Sequence, residues 1–118
     1  MYLAIFKRQR IPRDELSQRT GRPAKDVFFA VRDEFKRQGL PFSMPHIGHG
    51  IAIGLHEFPM LEPSNDIVLE AGMVLNIEPM VVMEDRKEAY HTEDLGEVTA
   101  NGTRLLTPPQ ERLLRIRV

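Results

Sequence analysis

Hydrophobic spacing changes kind once along this chain, near Pro41, and that switch limits the fold more than any other feature. Before it, "AKDVFFAVRDEFKRQG" sets Val27, Ala30, Val31 and Phe35 on one stripe at helical spacing and ends at Gly39, a natural C′ residue. The spacing predicts a helix over 24–38. Thr20 is placed as a cap, with Pro23 early in the helix, and the Phe28–Phe29 pair is expected to pack in the core. Residues 1–10 carry apolar Tyr2, Leu3, Ile5 and Phe6 ahead of Lys7, Arg8 and Arg10, which suits a short helix stopped by Pro12. The basic run from Lys7 to Arg22 reads as a solvated face.

Past Pro41 the pattern is that of strands. "IAIGL" is β-branched and broken by glycine. "MVLNIEPMVVM" (73–83) reads as a strand whose Pro79 marks an edge or a bulge. "AYHTEDLGEVTANGTRLLT" gives a further strand, a turn at Asn101–Gly102 and a short return strand, and "LLRIRV" alternates as a final one. Helices first and strands afterwards predict an α+β fold, with 1–40 helical and 41–118 in strands.

Charge and composition exclude several function classes. The 118 residues carry a net charge of −1, so there is no basic field for nucleic acid. The apolar start "MYLAIF" is too short for a signal-peptide core or a membrane span. Cysteine is absent, which removes disulfides and thiolate ligands and agrees with a reducing, cytoplasmic setting. Any metal must therefore sit on His, Asp and Glu.

Three of the four histidines fall in "HIGHGIAIGLHEFP", residues 46–59. His49 lies between Gly48 and Gly50, and His56 precedes Glu57. Downstream, a hairpin loop centred on Asp85 and Arg86 would oppose residues whose numbers sum to 171, as those of Glu78 and Glu93 do. In that register their Cβ atoms would lie about 4.5–5.5 Å apart on one face. Two such anions repel unless a cation lies between them or one takes a proton. A histidine and two glutamates on separate strands form a set suited to Mn, Fe, Co or Zn. The competing reading is a glycine-rich turn with incidental imidazoles and two solvent-facing glutamates.

"IGHGIAIGLHEFP", "GMVLNIEP" and "HTEDLGEVTANGTRLLT" together resemble the pita-bread metallopeptidase family, whose members include methionine aminopeptidase, aminopeptidase P, prolidase and creatinase. The similarity spans roughly residues 47–107 and extends more weakly towards the front. It implies that His49, Glu78 and Glu93 ligate metal, with Glu93 bridging two ions. It also implies that Glu78 handles a proton and that His56 contacts substrate and steadies the tetrahedral intermediate. Thr99 and Gly102 match the family's "VT..G" turn. His46 is expected to be structural or exposed. His91 stands where many prolidase-like members carry Arg, a substrate-binding position, and Ala52 stands where Gly is usual. The short interval between the glutamates resembles the Xaa-Pro peptidase branch.

The resemblance also implies two aspartate ligands from upstream strands, and no such strand pair is present. Asp14 and Asp26 have a comparable interval, but Asp26 falls on the predicted helix. The expectation is a segment, residues 1–118, equivalent to the C-terminal half of a pita-bread domain: helices packed on a curved, mainly antiparallel sheet. The complete domain would be a metallopeptidase or amidohydrolase with two divalent ions, acting on a peptide or small amide. Two alternatives stand beside it: a noncatalytic module acting by dimerisation or partner binding, and a non-peptidase relative such as a creatinase or a lyase. A homodimer is expected, because "MVLNIEPMVV" has few charges to protect a strand edge.

Overall fold

In a computed structural model, the structure describes residues 20–108. The predicted helix within residues 1–10 and the predicted strand "LLRIRV" lie outside these residues. Helix α1 spans Ala24–Arg37, one residue short of the expected end, and Gly39 follows at φ +67°. That left-handed conformation suits the helix stop, because glycine has no Cβ to clash. Ala24, Val27, Phe28, Val31 and Phe35 are buried on its inner face. Fully burying each of the larger side chains stabilises the fold by about 1.5–3 kcal/mol. Phe28 and Phe35 both meet Phe42 edge to face, at centroid distances of 5.5 and 5.4 Å. Phe29 is half-buried under the Arg32 guanidinium, 4.7 Å from its ring.

Thr20 is not the helix cap. Pro23 holds that position and has no side-chain donor or acceptor to offer. The first helical N–H groups are instead satisfied from the facing loop: Ala24 donates to the Ile67 carbonyl (2.8 Å) and Lys25 to that of Asn65 (2.9 Å). Thr20 donates its own N–H to the Thr99 carbonyl at 3.1 Å, tying the start of the described chain to the sheet.

The strands are β1 (Gly48–Gly50), β2 (Val74–Ile77), β3 (Met80–Met83), β4 (Glu88–His91), β5 (Asp94–Thr99) and β6 (Gly102–Leu105). Four of them form an antiparallel sheet in the order β1-β2-β5-β6, and β3 pairs with β4 in a separate two-stranded ribbon. Pro79 falls in the break between β2 and β3, where a missing N–H costs no ladder bond. Both ladders share one register: Val74 pairs with Glu97, Ile77 with Asp94, Met80 with His91 and Met83 with Glu88, all with numbers summing to 171. The loop is a 3₁₀ turn over Glu84–Arg86, with Lys87 left-handed at φ 55°. Ile47, Leu61, Leu69, Leu75, Val81 and Val98 join the inner face of α1 in a single core. The fold is α+β, as expected.

Three further expectations differ. "IAIGL" is not a strand: β1 ends at Gly50, and Ile53 and Leu55 are exposed in a loop. Thr99 pairs with Gly102, so the last turn centres on Ala100–Asn101, one residue earlier than predicted. The "VLNI" part of "MVLNIEPMVV" is no open edge, because β2 has β1 on one side and β5 on the other.

Candidate metal centre

The two glycines around His49 are there for contact. A Cβ on Gly48 would lie 2.1 Å from the Asn76 carbonyl oxygen, and one on Gly50 would lie 2.2 Å from that of Phe58. Their absence lets β1 press between β2 and the returning chain. On that second side, Leu61 donates to the Gly48 carbonyl (2.9 Å) and Ile47 to the Leu61 carbonyl (3.0 Å). Gly50 and Glu57 bridge across the loop, with Gly50 N–H donating to the Glu57 carbonyl at 2.8 Å. This closure returns His56 to His49, and their ring centroids are 4.4 Å apart.

Glu78 arrives from the other direction. Its N–H donates to the Ile47 carbonyl at 2.9 Å, fixing it beside the residues that lead into β1. Its half-buried carboxylate then meets imidazoles on several sides. His49 Nε2 is 3.4 Å from Oε1, His46 Nδ1 is 4.0 Å from the same oxygen, and His91 Nε2 is 3.5 Å from Oε2. His49, His56 and Glu78 each offer a ligand atom within 4.8 Å of the other two. All four histidines of the chain therefore surround one carboxylate.

The hydrogen bonds set the tautomer of His49. Its Nδ1 lies 2.9 Å from the Gly50 carbonyl oxygen, which can only accept. The proton of the neutral ring is thus on Nδ1, and the Nε2 lone pair points towards Glu78 and Asn76. Asn76, buried and paired with His49 across β1 and β2, donates its amide to Glu93 Oε1 at 2.7 Å and lies 3.4 Å from His49 Nε2. Glu93 is exposed and linked to the cluster through that amide.

The histidines and glutamates singled out in the sequence all lie among the described residues, and Asp14 lies outside them. His49, His56 and Glu78 come together, His91 flanks Glu78 from the end of β4, and Glu93 sits one amide away. Asp26 lies in the first turn of α1 beside Arg22, with 4.0 Å between Arg22 Nε and the carboxylate. Sequence reasoning gave His46 only a structural or exposed role and passed over Asn76. Nothing in spacing distinguishes His46 from a surface histidine. Asn76 could have been found, because a polar residue between Leu75 and Ile77 in an apolar strand needs a partner.

The donor set suits a divalent ion. His46 Nδ1 is buried without a hydrogen-bond partner and faces Glu78. A buried nitrogen in that condition calls for a ligand or a proton donor. His49 Nε2 and Glu78 Oε1 are separated by about the 3.4 Å expected for two ligands of a tetrahedral ion with bonds near 2.05 Å.

Comparisons with known proteins show the family and the fold. Residues 15–100 match metallopeptidase family M24. The Xaa-Pro dipeptidase of Pyrococcus furiosus is 32% identical over 95 residues, covering 80% of this chain and 27% of that protein. The probable dipeptidase PepE of Mycobacterium bovis is 39% identical over 85 residues, covering 71% of this chain and 22% of that protein. Among solved structures, dipeptidase PepE from Mycobacterium ulcerans superposes with a TM-score of 0.82 at 29% identity, covering 96% of this chain and 31% of that one. Prolidase from Pyrococcus furiosus gives 0.77 at 26% identity, covering 92% and 32%. This chain thus spans between about a fifth and a third of the length of these relatives. The chain belongs to metallopeptidase family M24 and folds as a part of the pita-bread architecture.

Proposed function

We propose that this chain supplies part of the catalytic centre of a metal-dependent peptidase acting on Xaa-Pro dipeptides or similar small amides. The observation that carries the reading is the ring of imidazoles around Glu78 in a chain similar to Xaa-Pro dipeptidases. His49, Glu78 and Glu93 would hold metal, with two divalent ions of the Mn, Co, Fe or Zn class in the complete domain. Bound ions of this class supply Lewis acidity that activates water and polarises a carbonyl.

The chain's own residues perform the remaining tasks. Glu78 Oε2 accepts a proton from the attacking water and returns it to the leaving amine, a general base and then a general acid. His56, on the exposed loop beside His49, donates a hydrogen bond to the carbonyl oxygen as charge develops there. His91, half-exposed beside Glu78, orients the substrate. Asn76 holds Glu93 by its amide and keeps that carboxylate turned towards His49.

A chimera tests the assignment. Residues 20–108 replace the matched segment of the Pyrococcus furiosus Xaa-Pro dipeptidase, and hydrolysis of Xaa-Pro dipeptides is assayed with Mn or Co. Turnover that is lost in Glu78→Gln, and lowered mainly in kcat by His56→Ala, is the expected result. A folded, metal-loaded chimera without turnover overturns the reading.

A further inference from the structure

We propose that the turn joining β5 and β6 is a self-modifying site, where Asn101 converts spontaneously to aspartate and isoaspartate through a cyclic imide closed by the Gly102 nitrogen. The proposal is independent of the metal centre and of the peptidase reading.

The chain has three asparagines, and the fold treats them differently. Asn65 and Asn76 are buried, at 8% and 2% exposure. The Asn65 side chain donates to the Met60 carbonyl at 2.7 Å and accepts from the Ile67 N–H at 3.0 Å, and Asn76 donates to Glu93 at 2.7 Å. Each precedes a residue with a side chain, Asp66 or Ile77, which crowds the nitrogen an imide would use. Asn101 is exposed, and its side-chain amide makes no hydrogen bond among the described residues. Its own N–H donates to Thr99 Oγ1 at 3.4 Å, and that hydroxyl donates to the Gly102 carbonyl at 2.7 Å. These bonds hold the backbone of the turn and leave the Asn101 side chain unheld.

Gly102 supplies the nucleophile. It has no Cβ, and nothing lies within 4 Å of where one would stand, so the approach to Asn101 Cγ is open. The turn also lies at the edge of the sheet, because β6 pairs with β5 alone in the order β1-β2-β5-β6. An edge hairpin opens locally at lower cost than the core strands do.

Water is the sole co-reactant. The Gly102 nitrogen bonds to Asn101 Cγ and gives up its proton, the Cγ–Nδ2 bond breaks, and ammonia leaves. Water then opens the ring at either carbonyl. Opening at Cγ yields aspartate. Opening at the main-chain carbonyl yields isoaspartate, whose main chain is longer by one methylene. Both products add a negative charge to a chain of net charge −1. The isoaspartyl form also takes Gly102 out of its pairing with Thr99, because the added atom shifts the register of β6.

Trypsin separates the sites, leaving Asn101 in the peptide 88–104 and Asn65 and Asn76 in the peptide 38–86. The full 118-residue chain is aged, folded, in mildly alkaline buffer, then digested and read by mass spectrometry with electron-transfer fragmentation. The acid form of 88–104 should accumulate at least about tenfold faster than that of 38–86. It should contain isoaspartate, which direct hydrolysis of the side chain cannot give. Asn101→Ser should abolish the conversion in 88–104, with circular dichroism unchanged because the side chain is exposed. Equal rates in the two peptides would overturn the proposal, as would aspartate as the sole product. So would a chain that converts at Asn101 in urea but not when folded, since the hairpin would then protect the site.

Discussion

Gly48 and Gly50 would be read from sequence as flexible points in a turn, yet both have ordinary backbone conformations and are needed because the neighbouring chain passes within contact of their Cα atoms. The distinction predicts how each glycine responds to replacement. Gly48→Ala forces a Cβ against the Asn76 carbonyl, a backbone atom that cannot turn aside, and should cost about 1–3 kcal/mol. Gly72 is different: nothing lies within 4 Å of an added Cβ, but φ is +90°, so alanine there is strained by conformation alone. Urea denaturation separates the two. Gly48→Ala should also weaken divalent-ion binding, because β1 and β2 must part where His49 meets Asn76, whereas Gly72→Ala should lose stability only. A Gly48→Ala variant with an unchanged midpoint would show that β1 is less tightly held than its hydrogen bonds suggest. The same scale explains why His46 was not legible. Its relation to Glu78 depends on Glu78 N–H reaching the Ile47 carbonyl, a contact across more than thirty residues that no local pattern encodes.

Among the elements, α1 and the long hairpin were readable and "IAIGL" was not. The helix announces itself because one apolar stripe repeats and a left-handed glycine ends it. The hairpin register followed from a symmetric loop, since fixing Asp85 and Arg86 at the centre fixes every opposed pair in both ladders, with Glu78 and Glu93 in the break between them. "IAIGL" misled because β-branched residues favour a strand only when a partner strand faces them, and here the chain turns back at the Gly50–Glu57 bridge. Helix α1 also carries an acid-sensitive contact. Glu34 is buried and accepts hydrogen bonds from Arg37, at 2.7 Å from Nε, and from Gln38. The Arg37 guanidinium holds its carboxyl below the ordinary value near 4.5, against the opposing effect of burial. A group with a depressed folded pKa stabilises the fold above its unfolded pKa, and that stability is lost as pH falls through the folded value. Stability should therefore be level above about pH 5 and decline below the ordinary carboxylate value. Glu34→Gln should lower stability at neutral pH and make the decline shallower. An unchanged acid limb in thermal melts from pH 7 to 3 would show that other carboxylates control it.

At the scale of the whole molecule, two expectations remain, one chemical and one physical. The isolated chain should not turn over Xaa-Pro dipeptides with any added divalent ion, because no aspartate joins the metal group among the described residues and a single ion cannot replace a pair. Turnover abolished by His56→Ala would refute this. The physical expectation concerns assembly, and the structure moves it from one surface to another. Strand β2, whose low charge first suggested pairing between copies, is enclosed on both sides. The exposed apolar surface lies instead on the loop after β1, where Ile51, Ile53, Leu55 and Phe58 are 44%, 104%, 85% and 77% exposed within eight residues. Clustered exposure of this kind marks an interaction surface. A second copy can cover it about a two-fold axis, the commonest closed arrangement, with each loop packing on its counterpart. Light scattering should find a homodimer at micromolar concentration, and Ile53→Lys with Leu55→Lys should return it to a monomer while leaving the circular dichroism unchanged. A wild-type chain that remains at 13.6 kDa across that range, indifferent to both substitutions, would show that the loop stays in water without a partner copy.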